Sequence, residues 1–252
     1  MPNTPTVTQF ASVGNQLVNQ ATFQVGGGGA LTPEQAERIS TITSLNGKTI
    51  AIIGDSVMRG NGWLGGFKNL IDESFKNANT LNIAQSGASF VGDVIYEQLG
   101  YLYSQGIKPD YIILDGGGND MFNHYTLGSV NFSEYTDTDH AGTVIGAVEH
   151  IFYWARIMFP DCKILFCTTY KLNPGFNPGE IPAFDQQKTF WDEIKKACVK
   201  YSVPVVDFYA ESNFIPFPNF IEKYFAPNDF LHINEQGYRW LWNIFKNRLL
   251  NM

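Results

Sequence analysis

Four short segments of the sequence hold side chains that together could carry out acyl transfer: Gly54-Asp55-Ser56, Ser86-Gly87, Gly117-Gly118-Asn119-Asp120 and Asp229-Phe230-Leu231-His232. A free serine hydroxyl is a weak nucleophile, so the chemistry needs a base beside it. The base must in turn be oriented, and its charged form stabilised, by a carboxylate. Donors must also point at the oxyanion that develops in the tetrahedral intermediate. Ser56 can supply the hydroxyl, His232 the base and Asp229 the carboxylate. The backbone N–H groups of Ser56 and Gly87 and the side-chain amide of Asn119 are suitable oxyanion donors. Asp55 and Asp120 are expected to support the loops around Ser56 and Asn119 rather than to react.

These segments need a scaffold that brings them together, and the apolar pattern predicts one. Five short apolar runs, at Thr49–Ile53, Thr80–Ala84, Tyr111–Leu114, Lys163–Thr168 and Val203–Tyr209, are bounded by Gly, Asp or Asn, as strands buried on both faces are. Helical spacing lies between and after them. His140–Phe159 has an apolar face of Val144, Ile145, Val148, Ile151, Phe152 and Ala155, with Asp139 as the expected N-cap. Ala183–Lys200 and Glu235–Leu250 are the other clear helices. Strands alternating with helices imply βαβ units and a five-stranded parallel sheet in a three-layer α/β/α sandwich. In open parallel sheets, ligands bind beyond the carboxyl ends of the strands. That is where the Ser56, Gly87 and Asn119 segments fall.

With these residues in order, the chain resembles the SGNH (GDSL-like) hydrolase family over about residues 46–250. Ile52-Ile53-Gly54-Asp55-Ser56 is similar to its nucleophile block and Gly87 to its second block. Gly117-Gly118-Asn119-Asp120 matches G-x-N-D, and Asp229-x-x-His232 matches D-x-x-H. The resemblance implies a flavodoxin-like sheet, a Ser56-His232-Asp229 triad and an oxyanion hole of Ser56, Gly87 and Asn119. The chain departs from the family pattern at Ala84, Phe230 and Ile233, where Gly, Gly and Pro are common.

Taken singly, each segment has a plainer reading. Gly-Asp-Ser and Asn228-Asp229 are ordinary turn sequences, and His232 alone would be an ordinary surface histidine. Their order and their placement at strand ends favour the joint reading. Other chemistries lack their motifs. There is no G-x-S-x-G elbow of the α/β-hydrolases and no P-loop, and the glycines at 116–118 do not complete a dinucleotide fingerprint. No metal-ligand spacing stands out, so neither a metal nor a cofactor is expected.

The 252 residues are 44% apolar and 16% charged, which fits a globular body and argues against disorder through most of the chain. The net charge of −7, without a Lys/Arg cluster, speaks against nucleic acid as a partner. Cys162, Cys167 and Cys198 follow no disulfide or zinc spacing and are expected as core thiols. Residues 1–45 are polar and contain four glycines at 26–29. They are expected as an N-terminal segment with a glycine linker, a candidate attachment or oligomerisation element, with a short helix from Thr32 to about Thr41. Residues 46–252 form the hydrolase domain. Met1–Gln20 has no ordinary signal-peptide pattern, and no apolar run is long enough to span a membrane. Cytoplasmic and phage-type delivery are both compatible with this.

The loops at 121–137, 171–182 and 211–228 are polar with interspersed aromatics, which either stack on a sugar, bind an acyl group or simply pack. The leading expectation is therefore an O-acetylesterase acting on a carbohydrate. The alternatives are a lipid or acyl-thioester hydrolase of the same family, and a phage-appendage or surface binding module built on this fold.

Overall fold

Three of the five apolar runs become five-residue strands covered on both faces, and a fourth becomes a half-exposed edge strand. The computed structural model describes residues 32–34, 44–133, 142–176 and 181–252. The strands are β1 (Thr49–Ile53), β2 (Asn79–Asn82), β3 (Tyr111–Asp115), β4 (Lys163–Cys167) and β5 (Val205–Val206), all paired in parallel in the order β2-β1-β3-β4-β5. Side chains alternate across a strand, so each strand feeds two cores. Ala51, Ile53, Ile112, Leu114, Ile164 and Phe166 face one, and Ile50, Ile52, Ile113, Leu165 and Cys167 face the other.

Among the described residues, nine helices follow: α1 (Ser56–Arg59), α2 (Phe67–Ser74), α3 (Val94–Ser104), α4 (Gly118–Phe122), α5 (Val144–Met158), α6 (Phe184–Lys200), α7 (Phe208–Glu211), α8 (Pro218–Tyr224) and α9 (Glu235–Leu250). The apolar stripes of α3, α5 and α6 cover the first face of the sheet, with Leu99, Val148, Phe152 and Trp191 among the buried residues. Helices α2 and α9 cover the second, where Phe67 stacks on Phe245 with ring centroids 4.5 Å apart. The result is the expected α/β fold with an all-parallel five-stranded sheet.

Several boundaries differ from the sequence pattern for local reasons. The run Val203–Tyr209 yields only a two-residue strand. Asp207 ends it by accepting the Ala210 N–H, which caps the single turn of α7. After β2, the Asn82 side chain accepts from the Ala84 N–H and donates to the Met58 carbonyl, while Ile83 and Gln85 still donate to the Ile52 and Gly54 carbonyls. Helix α5 begins at Val144, with the Thr143 hydroxyl accepting the Gly146 N–H as its cap. Asp139, the expected cap, lies outside the described residues, as do the four glycines at 26–29 and most of the short helix expected from Thr32. The three cysteines are free and buried, and none of the described helices is long and apolar enough to cross a membrane.

Candidate active site

The strand order 2-1-3-4-5 reverses direction between β1 and β3, and crevices at such switch points are where open sheets bind ligands. Ser56 follows β1 directly and Asn119 follows β3. The register pairs Ile53 with Leu114, so the two strands end side by side. Ser56 opens α1, whose N-cap is Asp55 through a 2.8 Å bond from the Val57 N–H. Gly54, just before it, has φ of +141°, and a Cβ there would lie 1.8 Å from Asp115 Oδ1, so only glycine fits. Gln98 clamps the same residue. Its Oε1 accepts the Gly54 N–H at 2.7 Å and its Nε2 donates to the Gly54 carbonyl at 3.0 Å.

His232 reaches this point from the other end of the chain. Its Nε2 is 2.8 Å from Ser56 Oγ and its Nδ1 is 2.7 Å from Asp229 Oδ2. The second Asp229 oxygen accepts the N–H groups of Leu231 at 2.8 Å and His232 at 2.9 Å. Partial burial works against ionisation of Asp229, but these N–H bonds and the imidazole outweigh it and hold the carboxyl below its usual range. The loop is pinned by the Tyr170 hydroxyl, which donates to the Leu231 carbonyl at 2.6 Å, and by the Ala226 N–H, which donates to the His232 carbonyl. From Asn234 the chain turns into α9, with the Asn234 side chain accepting the Gly237 N–H.

Gly87 sits at φ of +78°, a left-handed conformation that glycine adopts without strain, and the space where a side chain would stand is open. Among the described residues neither the Gly87 N–H nor the Ser56 N–H has an acceptor. Asn119 Nδ2 donates one hydrogen to the Ala88 carbonyl at 2.8 Å, which ties the third segment to the residue after Gly87 and leaves its second N–H. Asp120 does not approach the serine. Its two oxygens accept the N–H groups of Phe90 and Val91, each at 2.9 Å, so it holds the loop that follows Gly87. Asp55 likewise serves as a cap.

Two further groups lie near Ser56, His232 and Asp229. Asp115, the last residue of β3, is fully buried beside Asp55 and accepts the Asp55 N–H at 3.0 Å. Burial pushes Asp55 up to about 6, and burial together with the charge of Asp55 pushes Asp115 well above the carboxylate range. The second group is aromatic. Phe176 stacks on Phe230 with centroids 4.9 Å apart and planes 7° from parallel. These rings, with Phe122, Ile181, Asn228 and Leu231, line a cavity of about 460 Å³ that reaches Asp229.

The aromatics of the 211–228 loop turn out differently from one another. Phe214 and Phe225 are buried and pack on Tyr170, whereas Phe217 stays 65% exposed. The end of α1 and the residue before Gly87 carry polar side chains. Arg59 Nη1 donates to Ser86 Oγ at 3.0 Å, and Ser86 Oγ donates to Asn61 Oδ1 at 2.7 Å. Among the described residues no group of His, Cys, Asp and Glu is arranged to hold a metal ion.

The model of the GDSL-like lipase/acylhydrolase family matches residues 52–240. A solved crystal structure 26% identical in sequence superposes with a TM-score of 0.65, covering 83% of this chain and 99% of that one. A protein from Lactobacillus plantarum is 22% identical with a TM-score of 0.63, over 82% of this chain and 96% of its own. The lipase/acylhydrolase from Enterococcus faecalis is 18% identical with a TM-score of 0.54, over 81% and 96%. These last two likenesses bear on the fold alone. No curated protein sequence matches the chain significantly. The family match spans β1 to α9, including all four polar segments, and the chain belongs to the GDSL-like lipase/acylhydrolase family, whose members hydrolyse ester bonds.

Proposed function

We propose that the protein hydrolyses short-chain acyl esters, O-acetyl groups on a carbohydrate above all, with Ser56 as nucleophile, His232 as general base and Asp229 as its orienting carboxylate. The observation that carries this reading is the unbroken hydrogen-bonded series Asp229 Oδ2, His232, Ser56 Oγ at the switch point of the sheet. Ser56 Oγ attacks the acyl carbonyl while its proton passes to His232 Nε2, and Asp229 stabilises the imidazolium through Nδ1–H. The oxyanion takes hydrogen bonds from the Ser56 N–H, the Gly87 N–H and Asn119 Nδ2, each such donor contributing roughly 3–4 kcal/mol to the barrier reduction. His232 returns the proton to the leaving alcohol. Water then repeats the sequence on the acyl-serine and releases the acid and free Ser56.

The carbohydrate preference rests on the two sides of the site. The exposed face of Phe230, stacked on Phe176 beside Asn228, suits the C–H face of a sugar ring. The Arg59–Ser86–Asn61 chain offers donors and acceptors to hydroxyl groups across the cleft. The test is hydrolysis of an aryl acetate, an acetylated oligosaccharide and a long-chain acyl ester by the wild type and by Ser56→Ala. The expected result is turnover of both acetates by the wild type, lost by about a thousand-fold or more in Ser56→Ala. Equal activity of the two proteins removes Ser56 as nucleophile. A strong preference for the long-chain ester overturns the carbohydrate assignment and leaves the triad standing.

A further inference from the structure

Asp55 and Asp115 are both fully buried, 2% and 1% exposed, one residue before the serine and at the end of the neighbouring strand. Their carboxyl groups are neighbours, close enough for the charge of Asp55 to act on Asp115. Asp115 Oδ1 is already used by the Asp55 N–H, and its buried Oδ2 finds no hydrogen-bond donor among the described residues. The charged and titratable groups that act on the pair are His232, Asp120 and Tyr170 on Asp55, and Cys167 and Tyr238 on Asp115. None of these is a lysine or arginine, and neither aspartate takes part in an ion pair among the described residues. Two carboxylates this close in a dry site cannot both be charged, because each repels the other and neither recovers its lost hydration. One proton between them turns a pair of facing acceptors into a donor and an acceptor.

We propose that Asp115 is a positioning residue that keeps its carboxyl proton and donates it to the Asp55 carboxylate, fixing the cap from which Ser56 projects. The proton resides on Asp115 because Asp55 has the better reason to be an anion: each carboxyl accepts a backbone N–H, but it is Asp55 on which His232 acts, and the positive charge of that imidazole during turnover favours the anion there. With Asp115 neutral, both of its oxygens are satisfied. Oδ1 accepts the Asp55 N–H and Oδ2–H donates to the Asp55 side chain. The backbone of Gly54 is held by Gln98 and the Ser56 hydroxyl by His232, and the Asp115–Asp55 contact holds the cap between them.

An asparagine at 115 reproduces this pattern without any titratable proton, since its oxygen can accept and its Nδ2 can donate. Asp115→Asn, Asp115→Ala and the wild-type full chain are compared in two ways. The activity arm depends on the reading of Ser56 given above and uses an aryl acetate at pH 7. Asp115→Asn is expected to keep kcat within about three-fold, while Asp115→Ala lowers kcat about ten-fold or more with little change in KM, as loss of a hydrogen bond to a charged group does.

The stability arm does not depend on activity. A proton kept by folded Asp115 and released on unfolding makes the unfolding constant of the wild type rise about ten-fold per pH unit, a slope that Asp115→Asn lacks. The sign is that of a raised pKa: stabilisation is complete below the unfolded value of Asp115 and is lost as pH rises toward its folded value. Urea unfolding from about pH 7.5 to 8.5, above the range where Asp55 titrates, isolates this term. Equal pH slopes in wild type and Asp115→Asn overturn the protonated state. An Asp115→Asn variant as impaired as Asp115→Ala, or an Asp115→Ala variant as active as wild type, overturns the positioning role. If Asp115→Ala does not fold, the two Asp115→Asn readouts decide. If no ester is turned over by any of the proteins, the Ser56 reading fails while the slopes still report the proton.

Discussion

Replacing Asp229 by asparagine should harm the enzyme more than replacing it by alanine, although asparagine is the closer match in shape. The reason lies in the two roles of the carboxylate. One oxygen accepts two backbone N–H groups, from Leu231 and His232, and the other accepts His232 Nδ1–H. An asparagine must turn its carbonyl oxygen to the two N–H groups, which presents its own Nδ2–H to His232 Nδ1. The imidazole then carries its proton on Nε2, facing Ser56 Oγ, and has no lone pair with which to take the serine proton. The opposite flip restores the correct tautomer but points an NH2 group at two N–H donors. Leaving two donors without acceptors costs about 2–6 kcal/mol, or roughly thirty-fold to ten-thousand-fold in the competent population. Because the Asp229 side chain is 31% exposed, water can partly satisfy those donors and the lower half of that range applies. Alanine forces neither tautomer. The assay is kcat on an aryl acetate for both variants at pH 7 and 8, with circular dichroism to establish folding. An Asp229→Asn enzyme more active than Asp229→Ala would refute the proposed role of His232 Nδ1–H.

Two further outcomes follow from contacts around the site. Asp120→Ala removes the buried acceptor of the Phe90 and Val91 N–H groups and should lower unfolding stability by about 2–4 kcal/mol; a urea midpoint unchanged from wild type would count against Asp120 as the anchor of the Gly87 loop. Phe230→Gly deletes one partner of the stacked pair beside Asp229. It should raise KM for an acetylated oligosaccharide by about two- to ten-fold, the loss of one aromatic contact, while kcat on a small aryl acetate changes little. Saturation curves on both substrates check this.

Elements buried on both faces were legible in the sequence, and elements defined by a single tertiary contact were not. Runs such as Tyr111–Leu114 and Lys163–Cys167 read as strands because covered faces leave no polar alternation to confuse them. The run beginning at Val203 looked the same. It stops at Val206 because Asp207 finds the Ala210 N–H, a choice that local composition does not advertise. At the site, Ser56, Gly87, Asn119, Asp229 and His232 stood out because each sits in a short polar segment at an element boundary. Asp115 ends an apolar strand and looked like its terminator. Its contact with Asp55 spans sixty residues of chain and exists only once β1 and β3 are paired. The Phe176–Phe230 stack likewise joins two loops that share no sequence pattern. Of the aromatics of the 211–228 loop, which the sequence left open between packing and binding, Phe214 and Phe225 pack on Tyr170, Phe220 and Tyr224 pack on Phe214 and Trp240, and Phe217 stays exposed.

The three cysteines turn the chain into its own reporter of opening. All are buried and unbridged, and burial raises the Cys162 thiol to about 12 and pushes the Cys167 and Cys198 thiols well up too, so the reactive thiolate is scarce in the native state. Cys162 lies in the turn before β4, Cys167 ends that interior strand and Cys198 is on the buried face of α6. Alkylation under native conditions therefore records how often each region exposes itself. Cys162 should be modified through small local fluctuations, while Cys167 and Cys198 wait for the sheet and its helical cover to part.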